Sequence, residues 1–121
     1  MPLPAPTLYP PFNIIRLSHV TLGCKDLDAS KAFYADNLGL QVTDEDKNTV
    51  YMRAMEERGH HSVVLVKGDA TVRVLSFKVF SEEELDKAHE WFSGKGHKVE
   101  WVERPYQGRT LLTHDLSLIH I

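Results

Sequence analysis

Seven histidines, one cysteine and a run of three glutamates are the side chains best suited to chemistry in this sequence. His19 lies on an alternating stretch that places Ile15, Leu17, His19 and Thr21 on one face of a strand. One imidazole does not hold a catalytic metal, because a non-haem iron site takes about three protein ligands with further positions open. His60 and His61 are neighbours, and neighbours in a strand face opposite sides. They are therefore expected at a strand entry, in turn hydrogen bonds rather than a shared chelate. His114 and His120 stand near the end of the chain, where no chelate is expected. Glu82, Glu83 and Glu84 fill a first helical turn, where carboxylates interact favourably with the helix dipole and need no catalytic role. Cys24, without an identified basic partner, reads as a packed residue rather than a nucleophile.

Positioning these groups requires a regular scaffold, and the sequence describes one. Ile14 to Leu22 is a strand by alternation. Asp26 is placed to cap a helix through Ala29, Phe33 and Tyr34 to Leu38, with Gly39 where a left-handed residue is wanted. Leu40 to Asp44, Thr49 to Met55 and Ser62 to Lys67 are three apolar or β-branched runs separated by polar turns. The order then restarts. Thr71 to Val79 is strand-like, Ser81 with Glu84 forms a capping box, and Leu85, Ala88 and Phe92 share one side of the helix that follows. Strands at His97 to Val102 and Arg109 to Thr113 come next. Leu38, Gly39, Leu40 and Val42 recur 57 residues later as Lys95, Gly96, His97 and Val99. The chain thus reads as a duplicated strand–helix–three-strand unit whose second copy is incomplete.

Composition bounds the function. The chain has 121 residues, 42% of them hydrophobic and 26% charged, which fits one core and an ordinary globular domain. A net charge of −3 without a basic run gives no general attraction to nucleic acid or anionic lipid. One cysteine excludes an intramolecular disulfide framework. No apolar run reaches the length of a membrane span, and the proline-rich start lacks the regions of a signal peptide. A cytoplasmic setting is expected.

Several segments carry a family likeness. Arg16-Leu17-Ser18-His19-Val20, Asp26-Leu27, Ser30-Lys31-Ala32-Phe33-Tyr34, Leu38-Gly39-Leu40, Thr43-Asp44-Glu45-Asp46, Tyr51-Met52-Arg53, Glu56-Glu57 and His60-His61-Ser62 resemble the first domain of extradiol dioxygenases of the catechol 2,3-dioxygenase type. These belong to the vicinal oxygen chelate superfamily. The resemblance covers Ile14 to about Asp115. It implies an α+β fold in which paired βαβββ units form a curved mixed sheet with helices on the convex face, the second unit truncated. Phe33 and Phe92 would pack against the sheet. It also implies metal ligands on the concave face, a His on the first strand of a unit and a Glu on the last. His19 is then the candidate metal ligand. Ser76 and Val64 stand at the companion positions, so His19 is expected to be vestigial and no catalytic or cofactor-binding residue is assigned. Fe(II) is expected in the full-length parent and not in this piece. A catechol-type substrate, a missing C-terminal domain and a homo-oligomer are the implied partners. Stand-alone relatives, either bleomycin-resistance-like binding modules or glyoxalase-like metal-dependent lyases or isomerases, are the alternative.

These readings divide the chain into an extended arm over 1–13, a first unit over 14–69, a second over 70–115 and a tail over 116–121. After Asp115 the family resemblance implies a Pro and Gly turn into a strand with a central Glu, but this chain reads Leu116-Ser117-Leu118-Ile119-His120-Ile121. Those six residues are also the translation of a transposon-end adaptor used in sequencing libraries. The tail is therefore expected to be non-native. Deleting residues 116–121 should leave the thermal midpoint within measurement error, and a loss of several degrees would identify them as native structure.

Overall fold

The alternation that opens the sequence extends to Cys24, giving strand β1 at Ile14–Cys24. The structure is a computed structural model and describes Leu3, Ala5 and residues 9–114. The expectation for Leu116–Ile121, His120 included, lies outside the described residues. After β1 come helix α1 (Leu27–Ala32), a π-helical turn (Phe33–Asn37), and strands β2 (Gln41–Glu45), β3 (Thr49–Arg53) and β4 (Val63–Lys67). Then follow β5 (Thr71–Val79), helix α2 (Glu82–Gly94), β6 (Glu100–Val102) and β7 (Thr110–Leu112).

Local chemistry fixes the helix ends. The Asp26 carboxylate accepts from the Ala29 amide at 3.0 Å, satisfying a donor that the first turn of α1 leaves unpaired. Ser81 does the same for Glu84 at 3.3 Å. The box expected there is half formed, because the Glu84 carboxylate instead accepts from the Asn13 amide at 2.8 Å. The end of the arm is thereby tied to α2. Phe12 adds ring contacts with Trp91 and Phe92 at centroid distances of 5.9 and 5.5 Å. Gly39 and Gly96, the glycines that recur in the sequence, have φ of 76° and 80°, the left-handed conformation that lets each chain leave its helix.

The strands form a five-stranded mixed sheet in the order β2-β3-β4-β1-β5, and β6-β7 form a separate antiparallel pair. β1 pairs with β4 in parallel, Val20 opposite Val63, and with β5 in antiparallel, His19 opposite Ser76. The pairing with β5 shifts register between Leu17 and His19. Each shift inserts a residue and resets which side chains face which way. Ile15 and Leu17 were expected to share a face with His19; instead both are exposed while His19 is buried. The β6-β7 pair is held to α2 by side chains. Arg109 bonds the Glu82 carbonyl at 3.1 Å and Asp86 at 3.0 Å and lies over the Trp101 ring, which stacks on His89.

One face of the sheet is sealed by α1. Val50, Met52, Leu65 and Cys24 form the buried cluster there, with Leu27, Tyr34 and Ala35 packed against it. Phe33 was expected in that layer but is 50% exposed, and Tyr34 takes the position. The π-helical turn begins at Phe33 and alters the helical periodicity from which its placement was read. Leu65→Ala should therefore cost about 2–5 kcal/mol in urea unfolding, whereas Phe33→Ala should cost well under half as much.

Candidate functional site

The uncovered face of the sheet lines a cavity of about 520 Å³ that contains His19, Tyr51, His60, His61, Val64 and Ser76. β1 brings His19, β3 brings Tyr51, and the 104–108 loop between β6 and β7 brings Tyr106 and Gln107. His19 is held at both ring nitrogens. The Gln107 side-chain nitrogen lies 3.0 Å from Nε2, and Ser18 Oγ lies 3.2 Å from Nδ1. An amide nitrogen can only donate, so Nε2 supplies the lone pair and Nδ1 carries the proton to Ser18. The ring is neutral in this arrangement. Burial, and then the charge of Lys78, hold its pKa below the ordinary value.

His61 packs edge-on against His19, ring centroids 4.6 Å apart, and is only 8% exposed. Burial, with the neighbouring His19 and His60, lowers its pKa from 6.5 to about 4. His60 and His61 do not point to opposite faces as expected for a strand, because β4 begins later, at Val63. Outside a ladder the alternation rule does not apply, and their Nδ1 atoms approach to 3.1 Å. At that separation one nitrogen donates and the other accepts, so the accepting ring carries no proton on Nδ1.

Tyr106 completes the cluster. Its ring stacks on His60 at 3.8 Å and 12° and meets Tyr51 edge-on at 5.3 Å, and its hydroxyl donates to the Asp44 carboxylate. Tyr106 has φ of 62°, a conformation uncommon outside glycine, maintained here by contacts on three sides. Burial, followed by Asp46 and Asp44, raises the Tyr51 pKa. Tyr106 and Gln107 escaped the sequence reading. Pro105 and Gly108 mark a turn between strands, but nothing local says that it reaches back to β1 and β2.

A metal does not fit this arrangement. The lone pair of His19 is engaged by Gln107, and its cross-strand partner Ser76 and the nearby Val64 add no strong ligand. Among the described residues no three His, Cys, Asp or Glu side chains are grouped to hold one ion. Cys24 is in the core, its thiol 3.8 Å from the Leu22 carbonyl.

Residues 16–111 match the family model described as the Glyoxalase/Bleomycin resistance protein/Dioxygenase superfamily. The chain belongs to that superfamily. Among curated proteins, this superfamily member is 29% identical over 92 residues to the manganese-dependent 2,3-dihydroxybiphenyl 1,2-dioxygenase of Geobacillus genomosp. 3, covering 75% of this chain and 29% of the relative. Among solved structures, a variant of homoprotocatechuate 2,3-dioxygenase from B. fuscum superposes with a TM-score of 0.86 at 33% identity, covering 94% of this chain and 33% of that one. The complex of that enzyme with 3,4-dihydroxyphenylacetate gives 0.83 at 31% identity, covering 95% and 40%. The chain spans about a third of the length of these extradiol dioxygenases.

The superfamily member should lose stability as its neutral imidazoles are forced to protonate. With His61 folded at about 4 and unfolded near 6.5, the unfolded state binds more protons between those values. Stability is full above about pH 6.5 and falls as pH drops toward 4, by about 3 kcal/mol from this group. Glu57 and Glu84, held below the ordinary value of 4.5, add losses only below that pH. Urea midpoints measured from pH 7.5 to 4.5 should decline, and His61→Gln should flatten the slope.

Proposed function

We propose that residues 14–115 form the N-terminal, non-metal-binding domain of an Fe(II)-dependent extradiol dioxygenase that cleaves catechol-type aromatics. In this reading 14–69 and 70–115 are the two units of the domain, and the iron is held by a C-terminal domain outside these residues. The observation that carries the proposal is a mismatch. The chain aligns with about a third of each ring-cleaving relative, yet its own histidine cluster is closed on itself through Gln107 and Ser18. In the proposed parent, iron would bind both hydroxyl oxygens of the substrate and activate dioxygen.

This domain's residues have a different task. His19 is bonded to Gln107 and Ser18, His60 and His61 are bonded to each other, and burial favours the neutral form of His19 and His61. The cavity lining includes Arg104 and Lys78, the latter acting on His19, a setting unfavourable to a divalent cation. His19 thus acts as a structural residue where the superfamily pattern puts a ligand. The parent is proposed to be a cytoplasmic homo-oligomer. No helix among the described residues is long and apolar enough to cross a membrane.

The test is to load the purified chain anaerobically with excess Fe(II), remove unbound metal, add catechol and then oxygen. We expect no stoichiometric retained iron and no yellow ring-opened product. Stoichiometric iron with turnover abolished by His19→Ala would overturn the proposal.

A further inference from the structure

A phenol that loses one electron becomes a strong acid, so a tyrosine is oxidised readily where a base stands ready for its proton. The described tryptophans and tyrosines differ in this respect. Trp91 lies under the Lys95 ammonium at 5.9 Å and Trp101 under the Arg109 guanidinium at 4.6 Å. A cation is attracted to the electron-rich face of a ring and opposes the loss of an electron from it. Tyr34 packs against the buried apolar cluster. Tyr51 lies inside the ring cluster, where burial, followed by Asp46 and Asp44, raises its pKa and holds its proton in place.

Tyr106 is placed differently. Its hydroxyl donates to Oδ2 of the Asp44 carboxylate, whose other oxygen accepts from the Glu45 amide at 2.8 Å. One carboxylate oxygen is thereby anchored to the backbone of β2 while the second meets the phenol. A hydrogen bond to an ionised acceptor is about twice as strong as a neutral one, so the base is held at the proton that must leave. The Tyr106 side chain is fixed over this acceptor by the His60 ring stacked at 3.8 Å and by Tyr51 edge-on at 5.3 Å. With 54% of the residue exposed, it is also open to a reactant in solution.

We propose that Tyr106 is a reversible one-electron redox site whose proton acceptor is Asp44. In the forward step an outer-sphere one-electron oxidant takes an electron from the Tyr106 ring, the phenolic O–H bond breaks, and the proton forms a new O–H bond on Asp44 Oδ2. A phenol and a carboxylate that together carry one negative charge become a neutral phenoxyl radical and a neutral carboxylic acid, and the oxidant is reduced by one electron. A one-electron reductant reverses each change. No charge develops in the Tyr106 ring, so its stacking on His60 is kept. The oxidant is a solution species and no part of the step involves the iron of the proposed parent, so failure of the redox site leaves the proposed function untouched.

The experiment uses the 121-residue chain carrying Tyr9→Phe, which removes a second phenol that is 92% exposed. Ruthenium(III) tris-bipyridine, generated by a laser flash with a sacrificial quencher, is the oxidant. The radical is followed by its optical absorption and, in frozen samples, by electron paramagnetic resonance. A tyrosyl spectrum should form at a rate independent of buffer concentration, because the base is built in. Tyr106→Phe should remove most of that signal, whereas Tyr51→Phe should leave it. Asp44→Asn, whose amide oxygen still accepts a hydrogen bond but is not a base, should slow oxidation about tenfold and make the rate rise with the concentration of buffer base. Circular dichroism should show each variant folded. A buffer-dependent rate or a tryptophan radical with Tyr106 and Asp44 both intact, full tyrosyl yield in Tyr106→Phe, or an unchanged, buffer-independent rate in Asp44→Asn would each overturn the proposal.

Discussion

Backbone hydrogen bonding along both edges of β1 is the constraint on which the rest of the structure depends. Strand β1 pairs in parallel on one side, with β4, and in antiparallel on the other, with β5. The first pairing closes one unit and the second joins it to the next. A strand with both edges occupied has no freedom to slide, so the residues that it carries are placed by the ladder and not by their own preferences. His19 is one of them. It faces Ser76 across the join and reaches His61 and Gln107 because β1 is fixed in the middle.

How much of this was legible in the sequence depended on how local the cause was. Asp26, Ser81, Gly39 and Gly96 act within one turn of the chain, and each does what its residue type suggests. Strand β5 spans Thr71–Val79 as its β-rich composition indicates. The misplaced residues had causes that are not local. Ile15 and Leu17 lost their shared face with His19 to shifts in the β1–β5 register, which depend on the partner strand. Phe33 yielded its place to Tyr34 through a π-helical turn whose extra residue leaves no mark in a hydrophobic pattern. Glu84 left the capping box for the Asn13 amide, a partner 71 residues away. In the site, His19 was legible as the residue to watch, whereas its engagement by Gln107 follows from tertiary folding of the 104–108 loop.

The electrostatics of the histidine cluster show why one histidine position does not define a metal centre. Imidazoles buried together resist protonation, since each desolvates the others and a charge on one would repel a charge on the next. A cation faces the same penalty unless carboxylates are supplied. Here the rim offers Lys78, and the nearest hydrogen-bonding groups are an amide and a hydroxyl. The cluster is therefore a packed polar layer, satisfied internally, in which aromatic and imidazole rings share edges and faces.

The attachment of the β6-β7 pair to α2 through Arg109 differs in kind from the joins within the five-stranded sheet. The five-stranded sheet is held by backbone ladders, which are insensitive to ionic strength, while the pair is fastened partly by a guanidinium that is 41% exposed at the side chain and bonds Asp86, itself 61% exposed. Exposed ion pairs contribute about 1 kcal/mol or less and are screened beyond about 10 Å at 0.1 M salt. Added salt thus weakens one fastening of the hairpin without touching the sheet. Electrolyte concentration therefore acts on the seam between the β6-β7 pair and α2 before it acts on the backbone ladders of the five-stranded sheet.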